Sequence, residues 1–235
     1  MEKKQLFFDL DRTLWDFEAN SKNALSILYN DLDLDKCTNH FIQFHRTYKR
    51  VNAELWGMYA NNKLSKEQLR IQRFEKTLQR LNIDDQDLAQ KLSEGYIEIS
   101  PNQTLLFPNT IETLTELKEL DYKMSIITNG FSEVQFRKLE NCQLLDFFDT
   151  VICSEVVGYA KPDKRVYNYA VSQVNTSHKN CVMIGDCMRA DVLGAESSGM
   201  TGILFDPNLK KTYSSEIQRI KNLNELPLLL MKDSL

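Results

Sequence analysis

The sequence has no apolar run long enough to cross a membrane and no excess of basic residues. No segment approaches the roughly 18 consecutive apolar residues of a membrane-spanning helix. The 29 basic and 33 acidic residues leave a formal net charge of -4, and the isoelectric point is near 5.5. Nucleic-acid-binding domains carry a concentrated positive charge instead. We therefore expect a protein that binds neither a membrane nor a nucleic-acid polymer.

The sequence has five cysteines and three histidines, and neither type is spaced as a metal ligand. The five cysteines are odd in number, scattered along the chain and never in a C-x-x-C pair. The three histidines show no metal-ligand spacing either. Unpaired thiols are typical of a reducing compartment, and the N-terminal residues do not resemble a signal peptide. We therefore expect a cytoplasmic location, without disulfides or zinc.

The second half of the chain alternates between short apolar runs and segments with helical periodicity. The apolar runs at 124–127, 151–153, 181–184 and 202–205 predict buried strands. A further run, Gln5–Phe8, predicts a strand near the start of the chain. Strands that alternate with helices indicate a parallel sheet with right-handed crossovers.

Between the first predicted strand and the other predicted strands, the sequence shows only helical patterns. Apolar residues recur there at steps of three and four along three predicted helices: Phe41, Phe44, Tyr48, Val51 and Leu55; Ile71, Phe74, Leu78 and Leu81; Leu88, Leu92, Tyr96 and Ile99. Ser65 and Gln68 form a capping-box pattern at one helix start. The economical interpretation is a Rossmann-like α/β core of residues 1–15 and 105–235, with an all-helical cap domain inserted at 16–104.

Acidic side chains follow two of the predicted strands directly. Asp9 and Asp11 come straight after the first strand, and two carboxylates separated by one residue can serve as nucleophile and general acid/base. Asp186 and Asp191 follow the strand at 181–184. An aspartate after a strand is often only a helix N-cap, so Asp186 and Asp191 taken singly leave both interpretations open.

Two other groups occupy comparable positions. Thr128-Asn129-Gly130 follows the second predicted strand, and its hydroxyl and backbone N–H groups can hold phosphate oxygens. Lys161 precedes Pro162, which displaces the lysine from helical geometry and opens the next helix. Taken alone, a Thr-Asn-Gly sequence is most often a turn, and a lysine before proline is most often a surface residue. Because all these groups fall at carboxyl ends of strands in one sheet, they can converge at one ligand site.

Converging carboxylates predict a bound cation. Two carboxylates about 4 Å apart repel each other by roughly 4 kcal/mol at an effective dielectric constant near 20. Asp9, Asp11 and Asp186 therefore share protons at neutral pH unless cations offset the repulsion. Lys161 is one such cation. An all-oxygen site that also receives a phosphate suits Mg²⁺.

On these motifs the sequence resembles the haloacid dehalogenase superfamily. The matching residues are Asp9-x-Asp11-x-Thr13, Thr128, Lys161, and Gly185-Asp186 with Asp191. The helical insert after the first motif is similar to that family's α-helical cap. The resemblance covers essentially the whole chain.

This resemblance implies a role for each residue of the reaction. Asp9 attacks phosphorus and forms an aspartyl-phosphate. Asp11 protonates the leaving oxygen and then activates water. Thr128 and Asn129 contact the phosphoryl group, and Lys161 balances the charge on it and on Asp9.

The same resemblance implies the metal site. Asp9, the backbone carbonyl of Asp11, and Asp186 are the implied ligands of Mg²⁺. Thr13 and Asp191 are implied to support these groups without ligating the ion. Haloacid dehalogenases attack carbon, need no metal and lack the second aspartate, so the presence of Asp11 favours phosphorus chemistry.

A narrower likeness concerns the substrate. Four segments resemble the pyrimidine 5'-nucleotidase branch that removes noncanonical nucleoside monophosphates: 126–131, Arg137-x-Leu139-Glu140, 154–162 and Asn52-x-x-Leu55-Trp56. The likeness implies hydrolysis of pyrimidine nucleoside 5'-monophosphates, with Asn52, Trp56 and Tyr59 of the cap contacting the base or sugar. Trp56 and Tyr59 can equally pack within the cap.

The sequence leaves three other functions open. A phosphatase of phosphoglycolate or sugar phosphates shares every core residue, so only the cap separates it from a nucleotidase. A 2-haloacid dehalogenase is the second alternative. The third is a non-enzymatic phosphate-binding module, although a mere binder needs neither Asp9 as nucleophile nor Asp11 as acid. The expected partner is a small phosphorylated metabolite, and the sequence does not reveal the oligomeric state.

Overall fold

The chain divides into two compact units. A computed structural model describes three stretches of the chain: 3–38, 40–209 and 217–232. The core unit consists of Met1–Phe17 and Thr104–Leu235, and the cap unit consists of Glu18–Gln103. These boundaries differ by no more than two residues from the domain limits expected at 15 and 105.

Within the described residues, six parallel strands form the sheet of the core unit. They are β1 (Gln5–Phe8), β2 (Met124–Thr128), β3 (Thr150–Cys153), β4 (Cys181–Gly185), β5 (Thr201–Phe205) and β6 (Arg219–Ile220). Their order is β3-β2-β1-β4-β5-β6, with every neighbouring pair parallel. This order confirms the predicted Rossmann-like sheet. The order reverses between β1 and β4, where such sheets leave a crevice at the carboxyl ends of the strands.

Continuous apolar sequence explains why the strands are buried on both faces. Along β1, Leu6 and Phe8 belong to a hydrophobic cluster on one face of the sheet. Phe7 lies on the opposite face, in a second cluster with Ile127 and Met183. Side chains alternate between the faces of a strand, so a strand covered on both sides is apolar at most of its positions.

The core unit has helices beside its sheet, and the cap unit consists of a separate set of helices. In chain order they are α1 (Phe17–Asp31), α2 (Phe41–Ala60), α3 (Lys66–Arg80), α4 (Gln86–Ile99), α5 (Thr110–Glu119), α6 (Ser132–Asn141), α7 (Ser154–Val157), α8 (Lys164–Gln173), α9 (Gly194–Ser197) and α10 (Leu226–Lys232). A π-helical segment, Met188–Leu193, leads directly into α9. Among the described residues, no helix has both the length and the apolar character that crossing a membrane requires.

The start of α8 differs from the sequence prediction. Pro162 does not open this helix, which begins two residues later at Lys164. The carboxylate of Asp163 accepts a hydrogen bond from the backbone N–H of Arg165 at 2.9 Å and caps the helix. An aspartate at the N-cap therefore determines the helix start, and the proline lies just outside it.

The cap unit has its own apolar core. The rings of Tyr48, Phe74 and Tyr96, contributed by α2, α3 and α4, lie with their centroids 5.2 to 5.8 Å apart. The predicted capping box at α3 is confirmed, because Ser65 and Gln68 each accept a hydrogen bond from the other's backbone N–H. The apolar stripes of the sequence thus meet in one helical bundle.

Candidate active site

The acidic residues predicted at the strand ends meet at the point where the strand order reverses. Asp9 follows β1, and its backbone N–H donates to the carbonyl of Ile184 in β4 at 2.9 Å. Asp186 follows β4. Carboxylate oxygens of Asp9, Asp186 and Asp191 lie within 4.8 Å of one another. This cluster has the donor set and the spacing to hold a metal ion.

Lys161 lies inside the cluster and is not a surface lysine. Only 3% of it is exposed, and its Nζ donates to Asp9 Oδ1 at 2.8 Å and to Asp191 Oδ1 at 2.7 Å. The third bond of Nζ goes to the carbonyl of Ile127 at 2.7 Å. Asn129 fixes the backbone of this lysine, accepting from its N–H at 2.8 Å and donating to its carbonyl at 3.1 Å. The predicted contact of Asn129 with a phosphoryl group stays a prediction.

Asp191 lies on the π-helical segment with both carboxylate oxygens engaged. Oδ1 accepts from Lys161, and Oδ2 accepts from the backbone N–H of Cys187 at 2.9 Å. A Cβ added to Gly185 would come within 2.3 Å of this carboxylate, so only glycine leaves room for it. The thiol of Cys187 caps the segment by accepting from the N–H of Ala190 at 3.4 Å. Asp191 therefore orients Lys161.

Burial and neighbouring carboxylates shift the pKa values of the acidic groups in this cluster. Burial raises the pKa of Asp9 from 3.8 to about 8, against the lowering effect of Lys161, and Asp191 and Asp186 raise it further. Burial, followed by the neighbouring Asp191, raises the pKa of Asp186 from 3.8 to about 6. Burial lowers the pKa of Lys161, but the carboxylates of Asp191 and Asp9 outweigh this effect and raise it overall. One lysine does not neutralise the cluster, so a second cation fits there.

Asp11 contacts two side chains that sequence analysis missed. Its Oδ1 lies 2.6 Å from Nζ of Lys138, and its Oδ2 accepts from Nε2 of Gln135 at 2.9 Å. The same Nε2 donates to Oγ1 of Thr128 at 2.7 Å. Both residues are buried polar groups on α6, the helix that follows the Thr128 motif. Their spacing of three residues, which places them on one helix face, was the available signal.

The remaining predicted residues fall into two groups. Thr13 is fully buried, and its Oγ1 donates to Asp9 Oδ2 at 3.5 Å. Asn52, Trp56 and Tyr59 lie on α2 of the cap unit, where the two aromatic rings pack edge to face with centroids 5.6 Å apart. Contact of these three residues with a substrate stays a prediction.

Comparison with known proteins assigns this fold and site to a hydrolase family. The chain belongs to the haloacid dehalogenase-like hydrolases, whose family model matches residues 3–199. This confirms the resemblance seen in the sequence, and the protein is an enzyme. It is similar to the pyrimidine 5'-nucleotidase YjjG of Escherichia coli, with 31% identity over 97% of each chain.

Two further comparisons extend this result. The ribulose-1,5-bisphosphate 5-phosphatase of Halopiger xanaduensis is 28% identical over 91% of this chain and 89% of its own. The crystal structure of the putative hydrolase YfnB from Bacillus subtilis, bound to magnesium, superposes with a TM-score of 0.85. It is 25% identical and covers 98% of this chain and 100% of its own.

Proposed function

We propose that this protein is a Mg²⁺-dependent phosphomonoester hydrolase in which Asp9 takes up the phosphoryl group. The observation that carries the proposal is the position of Asp9, whose carboxylate lies 2.8 Å from Nζ of Lys161 within the acidic cluster. A second aspartate, Asp11, stands two residues away with its carboxylate anchored separately. A nucleophile with its own cation and a separate acid/base group suits a two-step transfer.

In the first step the Asp9 carboxylate forms a bond to phosphorus while the bond from phosphorus to the leaving oxygen breaks. Asp11 gives its proton to that oxygen, and an alcohol leaves. In the second step water attacks phosphorus, Asp11 takes the proton from the water, and the Asp9 carboxylate is released together with phosphate. During both steps Lys161 supplies positive charge beside the phosphoryl group, and the Thr128 hydroxyl donates to a phosphoryl oxygen.

Asp9, Asp186 and the backbone carbonyl of Asp11 are the groups that would hold Mg²⁺. The raised pKa values of Asp9 and Asp186 support this assignment, because burial and, after it, neighbouring carboxylates disfavour their charged forms, and a bound cation offsets that cost. Asp191 contributes indirectly, since both of its oxygens already accept hydrogen bonds. When bound, the ion supplies positive charge that offsets the charge of the phosphoryl oxygens.

Removal of the metal is expected to abolish turnover and to make the stability depend on pH. Because the pKa of Asp9 is raised from 3.8 to about 8, the folded metal-free protein binds protons that the unfolded chain has released. Its free energy of unfolding therefore falls as pH rises from about 4 to about 8. Mg²⁺ competes with those protons, so we expect it to raise the melting temperature more at about pH 8 than at about pH 6.

Thermal denaturation with EDTA and with added Mg²⁺ measures this difference, and phosphate release measures turnover in the same samples. An equal Mg²⁺ effect at both pH values would contradict a metal site formed by Asp9. Turnover of a haloacid in EDTA would support the dehalogenase alternative instead. Phosphate binding without any turnover in Mg²⁺ would support a binding module.

We further propose that the substrate is a pyrimidine nucleoside 5'-monophosphate. The similarity to YjjG over nearly the whole of both chains supports this choice. The cap unit offers a second argument: Asn52 is 5% exposed, and its Oδ1 has no hydrogen-bond partner among the described residues. A buried unpaired oxygen costs stability, and a donor on the substrate would repay that cost. Asn52, Trp56 and Tyr59 are the proposed contacts to the base or sugar.

A panel of phosphate esters tests this specificity. We expect kcat/KM to be highest for pyrimidine nucleoside monophosphates, above purine nucleotides, phosphoglycolate and sugar phosphates. Asn52→Leu is expected to lower kcat/KM for the preferred nucleotide by about tenfold, because a substrate donor loses its acceptor. The same variant should melt at the same or a higher temperature, since an apolar group replaces an unpaired buried oxygen.

Gln43→Leu is the matched control, because Gln43 lies on α2 but is exposed. It is expected to keep the preference and the turnover of the wild type. A preference for sugar phosphates over every nucleotide would establish the alternative function and end the nucleotidase proposal. A nucleotide preference that Asn52→Leu leaves unchanged would remove only Asn52 from the binding site.

A further inference from the structure

Both carboxylate oxygens of Asp11 are engaged by side chains of a single helix, α6. Nζ of Lys138 lies 2.6 Å from Oδ1, and Nε2 of Gln135 donates to Oδ2 at 2.9 Å. We propose that Lys138 and Gln135 are positioning residues that fix the orientation of the Asp11 carboxylate for proton transfer. This inference rests on the proposed role of Asp11 as general acid and base.

The surroundings of Lys138 restrict its movement. Lys138 is 4% exposed, and its Nζ lies 4.0 Å from the centroid of the Trp15 ring. Trp15 is itself fully buried and forms a backbone bridge with Asp11. The ammonium group is therefore confined between an aromatic face and the carboxylate. Rotation of Asp11 away from this position would leave a buried charge without its partner, which is costly.

Gln135 connects Asp11 to the proposed phosphoryl site. Its Nε2 donates to Oγ1 of Thr128 at 2.7 Å as well as to Asp11, and the residue is fully buried. A single amide group thus sets the distance between the acid/base carboxylate and the hydroxyl proposed to contact the phosphoryl oxygens. A Cβ added to Gly130 would lie 2.4 Å from this amide, so the glycine of the Thr128 motif leaves room for Gln135.

The burial of Lys138 and Gln135 is better explained by a role in orienting the Asp11 carboxylate than by a contribution to stability. The desolvation cost of a buried ion pair can exceed its Coulombic gain, and apolar replacements of similar volume are often equally stable. Orientation, by contrast, has a direct kinetic value, because a displacement of about 1 Å can cost about 100-fold in rate. A lysine and a glutamine that meet the same carboxylate are therefore expected where the reaction requires its fixed position.

The test uses Lys138→Met and Gln135→Met in the full chain with two kinds of substrate. An alkyl phosphate needs a proton at its leaving oxygen, whereas p-nitrophenyl phosphate releases a stable phenolate. We expect each variant to lower kcat/KM by about 100-fold for the best alkyl phosphate of the panel and by less than about tenfold for p-nitrophenyl phosphate. Lys138→Arg keeps the charge and is expected to restore part of the loss on the alkyl phosphate.

Lys118→Met is the control, because Lys118 is an exposed lysine of α5 whose amine donates to the carbonyl of Asp146. It is expected to leave both substrates unaffected. Equal losses on the two substrates, or a lower melting temperature with unchanged kinetics, would overturn the positioning role. Should Lys138→Met fail to fold, Gln135→Met and Lys138→Arg carry the same comparison.

Asp11→Asn distinguishes this inference from the proposed function. Wild-type rates in Asp11→Asn would remove the acid/base role itself. If Asp11→Asn loses alkyl phosphate turnover while Lys138→Met and Gln135→Met retain it, only the positioning role fails. We expect Lys138→Met to change the residual p-nitrophenyl phosphate rate by less than about twofold in the Asp11→Asn background, because residues that act through one group are not additive.

Discussion

Replacing Asp9 by asparagine is expected to lower turnover by about 10⁵-fold or more while leaving the fold intact. The amide does not attack phosphorus, but it keeps the shape of the carboxylate and can still accept the hydrogen bond that Lys161 donates at 2.8 Å. Burial raises the pKa of Asp9 to about 8, so a neutral side chain is tolerated there. We therefore expect the metal-free variant to melt at or above the temperature of the metal-free wild type.

Phosphate release and circular dichroism on the same preparations measure the two effects. Asp149→Asn is the matched control, since Asp149 is an exposed aspartate next to β3, and it should keep full turnover. Wild-type-like rates in Asp9→Asn would overturn its role as nucleophile. Loss of turnover together with loss of the folded spectrum would show that Asp9 serves the structure instead.

The sheet could be predicted from the sequence because its strands are buried on both faces. Such strands appear as short uninterrupted apolar runs, and the run at Gln5–Phe8 coincides with β1. β6, Arg219–Ile220, has only two residues, one of them exposed, and has no comparable signal. The helix expected from about residue 190 begins earlier, as the π-helical segment Met188–Leu193, because the Cys187 thiol caps it there.

The acidic cluster and Lys161 could also be predicted, since the carboxyl ends of parallel strands meet at one edge of a sheet. The contacts of Gln135 and Lys138 with Asp11 could not be predicted, because they depend on which face of α6 packs toward Asp11. Periodicity identifies a helix face, but a buried lysine and a solvated one look alike until a partner is known. The partner here is 127 residues away in the sequence.

The charges of the site explain why its residues depend on one another. Asp9 and Asp191 are both buried, and each accepts a hydrogen bond from the same ammonium group of Lys161. Two buried carboxylates that share one cation are costly unless that cation stays in place. The backbone of Lys161 is in turn held by the side chain of Asn129. Lys161 is therefore the group whose loss affects both the reaction and the fold.

Lys161→Met is expected to lower turnover by about 10³-fold and the free energy of unfolding by roughly 3–5 kcal/mol in the absence of metal. Methionine fills a similar volume, but it leaves Asp9 and Asp191 buried without the cation that both contact at 2.7 to 2.8 Å. Mg²⁺ offsets part of the same charge, so it should raise the melting temperature of the variant more than that of the wild type. Urea denaturation and thermal melts, each with and without Mg²⁺, measure these changes.

Lys164→Met provides the comparison, because Lys164 is exposed at the start of α8 only three residues further along. It should retain the turnover and the stability of the wild type. A Lys161→Met protein with undiminished stability would contradict the role of Lys161 in balancing the charge of Asp9 and Asp191. A variant with undiminished turnover would contradict the role of Lys161 at the phosphoryl group, since no neutral side chain reproduces its charge beside Asp9.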